Sequence, residues 1–250
     1  MRLTRCFADA PLASGTIVRL PAGPSAHVSK VLRLRAGALL TVFDGRGGEF
    51  EAQILAIERG GVQVRVGAHD TIEREAPLAV TLLQCLARAE RMDWIVQKAT
   101  ELGVSAIVPV ASVHSVVRVD ASGAQRRASH WQAVAISACE QCGRNRVPVL
   151  QPAVPFERAC ADASGAAGRL VLDPQAAQTL TSAARALSAT ALKPALSLLI
   201  GPEGGFSAPE RATAMHYGFL PCTLGPRILR AETAPLAALA AIQAVLGDFT

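Results

Sequence analysis

The hydrophobic period of this chain changes once, at Glu73-Arg74-Glu75-Ala76-Pro77, and that change limits the fold more than any other feature. Before it, residues 38–66 alternate. ALLTVF and EFEAQILAI are short runs rich in β-formers, joined by Asp44-Gly45-Arg46-Gly47-Gly48. Arg59-Gly60-Gly61 then turns the chain into VQVRV, which alternates strictly. A period of two belongs to strands with one face in a core, so this part reads as a β-meander within a small β-barrel. The DGRGG segment could pass for a phosphate loop. It joins two strands with no helix after it, and a hairpin turn fits better. Ser25 is a candidate cap for a short helix through about Leu34, with Lys30 and Arg33 on one side.

After the change, the apolar runs become continuous. LAVTLLQC (78–85) has the pattern of a strand buried on both faces. Met92, Ile95, Val96, Ala99 and Leu102 repeat at helical spacing, and Gly103 supplies the stop. AIVPV (106–110) is a second strand, and a long helix around 124–141 ends near Gly143. Further short apolar runs stand at 170–172, 196–200 and 219–224, while the Ala- and Ser-rich stretch 157–195 reads as helices and loops. Strands alternating with helices predict an α/β domain with a mainly parallel sheet covered on both faces. The expected division is therefore 1–72 for the barrel and 73–250 for the α/β domain.

The last segment, APLAALAAIQAVL (234–246), carries no charge and one strongly polar side chain, Gln243. Pro235 suits a first helical turn and Gly247 a C-terminal stop. A helix apolar all round must be covered, either by its own domain or by a second subunit.

Charge and cysteine usage narrow the setting. The net charge of +5 is modest, but residues 1–35 carry Arg2, Arg5, Arg19, Lys30, Arg33 and Arg35 against Asp9 alone. Such a cluster suits a phosphate backbone, because each cation that meets a phosphate releases a counterion. On charge alone a solvated surface explains it equally well. No uncharged run nears the roughly 20 residues of a membrane-spanning helix. The start, MRLTRCFADAPL, lacks the apolar core of a secretion signal, so a cytosolic protein is expected. The six cysteines are expected to be reduced, mostly buried, small hydrophobes. Cys139-Glu-Gln-Cys142 is a lone C-x-x-C with no second pair, which leaves a metal or redox role as the lesser alternative.

Two strand-to-loop junctions carry the chemistry. In Leu198-Leu199-Ile200-Gly201-Pro202-Glu203-Gly204-Gly205-Phe206-Ser207 a buried strand runs into a loop with three glycines, which lets the backbone approach a ligand closely. Ser207-Ala208-Pro209-Glu210 has the form of a capping box, so a helix follows at once. The second junction, Leu224-Gly225-Pro226-Arg227-Ile228-Leu229-Arg230-Ala231-Glu232-Thr233-Ala234, also follows an apolar strand and precedes a helix. Ligands of open α/β sheets bind beyond the carboxyl ends of strands. Each loop singly could be only a tight turn. Neither matches a dinucleotide fingerprint or a P-loop.

IGPEGGFS and LGPRILRAETAPLAAL resemble the signature segments of the RsmE family of the SPOUT superfamily of RNA methyltransferases. So do Arg5-Cys6-Phe7, His27 with Lys30 to Arg35, Arg91 to Val104, Trp131-Gln132 and Glu140 to Asn145, which follow the family's order along nearly all 250 residues.

The resemblance implies S-adenosylmethionine-dependent methylation of N3 of a uridine in 16S rRNA of the small ribosomal subunit. It implies an N-terminal PUA-like RNA-binding barrel, a C-terminal parallel sheet with a trefoil knot, and a homodimer. Carried over by position, the cofactor loops are Leu199, Ile200, Gly201, Pro202, Glu203 and Gly204, and Leu224, Gly225, Ile228, Leu229, Arg230 and Thr233. Ile200, Leu224, Ile228 and Leu229 would give the adenine apolar cover. RNA contacts fall to Arg2, Arg5, Lys30, Arg33, Arg35 and Arg118. His114 stands where many relatives carry arginine, and the next cation is Arg118.

A sulfonium donor needs no metal. The nucleophile is a ring nitrogen whose proton is weakly acidic, so the site must remove that proton or stabilise the anion left on the uracil oxygens. Arg230 suits the second task as a fixed cation, and Glu203 is a candidate proton acceptor. Two other classes stay open: an RNA-binding or ribosome-assembly factor that does not turn over, and a related enzyme acting on a ribose hydroxyl or on tRNA.

Overall fold

The alternating segment becomes a mixed five-stranded sheet. Strands β1 (Arg5–Phe7), β2 (Ile17–Arg19), β3 (Leu39–Phe43), β4 (Glu49–Glu58) and β5 (Gly61–Asp70) pair in the order β1-β3-β4-β5-β2. Among the described residues only β1 against β3 is parallel in this sheet. The inward residues of β4 and β5 (Phe50, Ala52, Ile54, Val62, Val64 and Val66) close on Val28, Leu40 and Val42 in one core. Register shifts between Phe50 and Ala52 and between Ile54 and Ala56 bend β4, as β-bulges do. The DGRGG segment is a hairpin turn, with the Arg46 amide donating to Asp44 Oδ1 at 3.0 Å.

The computed structural model describes residues 4–115, 121–188 and 195–249. The chain divides into two units: residues 1–75 with 136–147, and residues 76–135 with 148–250. The first unit therefore differs from the expected 1–72 by acquiring a distant segment. Arg5 accounts for much of that. It is 7% exposed, lies over the Phe43 ring, pairs with Glu49, and donates to Asn145 Oδ1 at 2.7 Å and to the Arg144 carbonyl at 3.0 Å. Arg144 in turn pairs with Glu75 at 2.6 Å, and Asn145 Nδ2 donates to the Ile72 carbonyl. The expectation that Arg5 contacts RNA is thereby corrected: its charge is spent inside the unit. Ser25 also differs from expectation. It lies within α1 (Ala22–Ala26), which runs into a π-helical turn at His27–Val31. Its hydroxyl donates to the Leu20 carbonyl and accepts from the Val62 amide, so it pins the helix to the sheet instead of capping it.

The second unit holds a seven-stranded sheet whose pairings are all parallel among the described residues. Its strands are β6 (Val80–Cys85), β7 (Ala106–Ala111), β8 (Val149–Leu150), β9 (Val154–Pro155), β10 (Gly168–Leu172), β11 (Leu196–Ile200) and β12 (Leu220–Cys222). The order is β12-β10-β11-β6-β7-β8, with β9 beside β7. The late strand β11 thus enters between two earlier ones, and all five of its residues are buried. Leu83, Val108, Val171 and Leu199 face α4 (Phe156–Asp162) and α6 (Ala208–His216) in one core.

Helix α7 (Thr233–Leu246) contacts α2 (Ala89–Glu101) and α5 (Leu180–Ser188). Long α3 (Ala121–Cys142) belongs to the second unit up to residue 135.

The apolar C-terminal helix is covered on one face by its own unit. Ala238, Leu239 and Ile242 are 0% exposed, and Gln243 donates to the Leu102 carbonyl at 3.1 Å. Leu239 therefore belongs to the core. Leu239→Asp is expected to cost about 3–5 kcal/mol, the scale of an uncompensated buried charge. Urea denaturation checks this, and wild-type stability in the variant would show that the face is not core.

Candidate functional site

Both glycine-bearing junctions lie where the fold places ligands, beyond the carboxyl ends of β10, β11 and β12. At the first, β11 ends at Ile200 and α6 begins at Ala208 under a full capping box. The Ser207 amide donates to Glu210 Oε2 at 2.9 Å, and Ser207 Oγ accepts from the Glu210 amide. Two glycines here leave little room for a side chain. A Cβ on Gly201 would stand 3.1 Å from the Phe206 ring, and one on Gly204 would stand 3.0 Å from His114 Cβ.

The loop after β7 is tied to this one. The Val113 amide donates to Glu210 Oε1 at 2.9 Å, and His114 Nδ1 meets the Gly205 carbonyl at 3.0 Å. At the second junction the Thr223 amide donates to the Gln178 carbonyl, and the Thr233 and Ala234 amides return to the Arg230 carbonyl.

Between the two junctions opens a cavity of about 350 Å³. Of the residues expected to hold a cofactor, Ile200, Gly201, Pro202, Glu203, Leu224, Ile228, Leu229 and Arg230 line it. Leu199, Gly204, Gly225 and Thr233 do not. Leu199 is buried in the core with Leu83, Val108 and Val171, and Gly204 backs onto His114. Arg230 is exposed and, among the described residues, has no ion-pair partner. Ile228 is 85% exposed at the rim.

Glu203 is not idle. Its Oε1 accepts from Arg91 Nη1 at 2.7 Å, and Arg91 Nε also lies 3.6 Å from Glu232. The lining thiol Cys222 is pushed up to about 11 by burial, so it stays neutral at working pH and offers no nucleophile.

Sequence reasoning missed Arg91, Asp173, Pro174, Phe206 and Arg211 in the lining. Asp173 and Pro174 directly follow the apolar run 170–172, so the strand-end rule could have found them. Arg91 and Arg211 sit on helices in polar positions; Arg91 opens one of the segments that resemble the family, but nothing in its spacing points it at the cavity, and nothing local marks Arg211. Arg2 and Arg118 lie outside the described residues. Lys30, Arg33 and Arg35 are exposed on the first unit, beside Val31 at 67% exposure. Arg33 has a φ of 52°, a left-handed conformation rare for a residue with a side chain.

Known proteins give this geometry its class. Residues 74–243 match the RNA methyltransferase domain family, and residues 25–67 match the RNA methyltransferase PUA domain family. The fold is that of an RNA methyltransferase with a PUA domain.

Relatives are more particular. Ribosomal RNA small subunit methyltransferase E of Buchnera aphidicola is 30% identical over 249 residues, covering 100% of this chain and 99% of its own. The Bacillus subtilis protein of the same name is 31% identical over 218 residues, covering 86% and 85%. The Neisseria gonorrhoeae protein of that name, solved with S-adenosylmethionine bound, superposes with a TM-score of 0.87 at 37% identity over 100% of both chains. A Legionella pneumophila protein solved with the same cofactor gives 0.92 at 35% identity, again over 100% of both chains. This chain belongs to the ribosomal RNA small subunit methyltransferase E family.

Glu210 provides a pH test of the site's frame. Burial pushes its carboxyl up, but the amides of Ser207 and Val113 and the Ser207 hydroxyl pull harder, and it titrates below the usual range. A lowered folded pKa adds stability above the unfolded value, about 4.3. That stability is lost as pH falls through the folded value. Glu210→Gln is expected to lose about 1 kcal/mol near neutral pH, the scale of a lost cap. The gap to wild type should close below about pH 4. Urea titrations across that range check it, and a gap that widens in acid would refute the assignment.

Proposed function

We propose that this protein transfers a methyl group from S-adenosylmethionine to N3 of a uridine in 16S rRNA of the small ribosomal subunit. The observation that carries the reading is the cavity framed by the two glycine loops, in a chain that matches a cofactor-bound family member from end to end. The residues present suit the cofactor. The pocket combines apolar walls from Ile200, Leu224 and Leu229 with loop backbone kept open by Gly201, and its volume falls in the range of small-molecule sites. S-adenosylmethionine supplies an electrophilic methyl on a sulfonium and calls for no metal.

The chain's own residues do the rest. Backbone groups of 199–204 and 224–233 bind and orient the cofactor, and Ile228 and Leu229 shield it from water. Arg230, exposed at the cavity and always protonated, stabilises negative charge on the uracil oxygens as N3 gives up its proton to solvent water. Glu203, the candidate proton acceptor, has its Oε1 engaged by Arg91, so the role that fits it best is to hold its loop.

The rest of the reading follows the same family. Residues 1–72 form the RNA-binding PUA-like domain and 73–250 the SPOUT domain, whose trefoil knot is formed around the two cofactor loops. RNA is gripped by Lys30, Arg33 and Arg35 on the exposed edge of the first domain, with Arg2 and Arg118 as further contacts. A homodimer is supported by apolar surface that the chain leaves uncovered, with Trp94 at 50% and Phe249 at 48% exposure. Among the described residues no helix is long and apolar enough to cross a membrane. A ribosomal substrate in turn puts the activity in the cytoplasm.

Two experiments test this. Arg230→Ala should bind S-adenosylmethionine as well as wild type yet lose methyl transfer by about 100-fold, the scale of one preorganised charge-stabilising group. Single-turnover assays on small-subunit RNA measure it, and near-normal turnover would make the arginine structural. Arg33→Ala with Arg35→Ala should weaken RNA binding and flatten its salt dependence by about one unit of slope for each phosphate no longer neutralised. Cofactor binding should be unchanged. An unaltered salt slope would show that these charges meet only solvent.

A further inference from the structure

We propose that Arg91 is a positioning residue: a cationic clasp that holds the two cofactor loops together and so sets the affinity for S-adenosylmethionine. The inference rests on the reading that the cavity takes that cofactor. Arg91 lies in the first turn of α2, outside both loops. Its helix is fixed, since Met92, Ile95, Val96 and Ala99 are all 0% exposed. From there its guanidinium reaches in two directions, Nη1 to Glu203 on the loop after β11 at 2.7 Å and Nε to Glu232 on the loop after β12 at 3.6 Å. Among the described residues no other ion pair involves either loop.

The need for such a clasp follows from the loops themselves. Residues 226–228 and 230 are exposed, so burial does little to fix the middle of the second loop. Glu203 and Glu232 both point at one cation. Without it, two carboxylates from different loops would face each other and push the cavity's walls apart. Arginine suits the position because its planar fork spreads the charge, with Nη1 donating a hydrogen bond to Glu203 while Nε stands at ion-pair distance from Glu232. A lysine ammonium is a single point and cannot span both partners. The three side chains are 24–30% exposed, enough shielding for the pairs to outlast solvent competition better than surface pairs do. Loops held in their binding geometry spare the ligand the cost of ordering them, and that gain appears as affinity.

The test is a charge-rescue series read by calorimetric titration with S-adenosylmethionine, alongside thermal melting of the free protein. Arg91→Met should weaken binding by about tenfold. Arg91→Lys should weaken it by less, and keeps the charge should the methionine variant fold poorly. The triple variant Arg91→Met, Glu203→Gln, Glu232→Gln removes the repulsion along with the clasp, and should recover affinity to within about threefold of wild type. Wild-type affinity in Arg91→Met would overturn the clasp. A triple variant as weak as Arg91→Met would overturn it too, and would assign the guanidinium a direct contact with the cofactor. Failure of the wild-type protein to bind S-adenosylmethionine would instead remove the cavity's assignment, before any variant is compared.

Discussion

A strand buried along its whole length can offer a ligand nothing but its end. Strand β11 is such a strand, slotted between β10 and β6 with every residue from Leu196 to Ile200 covered. Its neighbours run parallel to it, so the ends of β10, β11 and β12 open on the same side, and the loops that leave them must share that space. The chemistry of the second unit depends on this constraint. The sheet supplies rigidity, and the loops supply variation without disturbing it.

What the loops then need is a way to keep their spacing. On one side Glu210 closes a capping box and also holds the loop after β7 through Val113. On the other, Arg91 meets carboxylates from both glycine-bearing loops. In each case a single charged side chain meets partners from two separate segments, an electrostatic tie laid over a hydrophobic frame. Arg230 stands apart from both arrangements, a cation at the cavity with no ion-pair partner among the described residues.

The first unit uses charge differently. Arg5, Glu49, Arg74, Glu75 and Arg144 form a partly buried network that joins residues 136–147 to the N-terminal sheet. The basic excess of the first 35 residues is therefore not one surface. Arg5 is structural, while Lys30, Arg33 and Arg35 remain exposed. A count of charges along the chain cannot tell these apart, because a buried pair and a free cation have the same composition.

The sequence by itself determined the two folding regimes, most of the strands, and both glycine loops with the capping box that follows the first. Period, apolar continuity and turn chemistry are local properties, written within a few residues of where they act. It passed over the three-residue strands β1 and β2, which are too short for a period to show. It also left open which cover the C-terminal helix would have. Only the tertiary structure decided that Leu239 packs within its own unit, that Arg5 turns inward to Asn145, and that Arg91 meets Glu203 across 112 positions of sequence. The reason is physical: an ion pair or a shared core has no local signature, and it exists only once the sheet has brought distant segments to the same place.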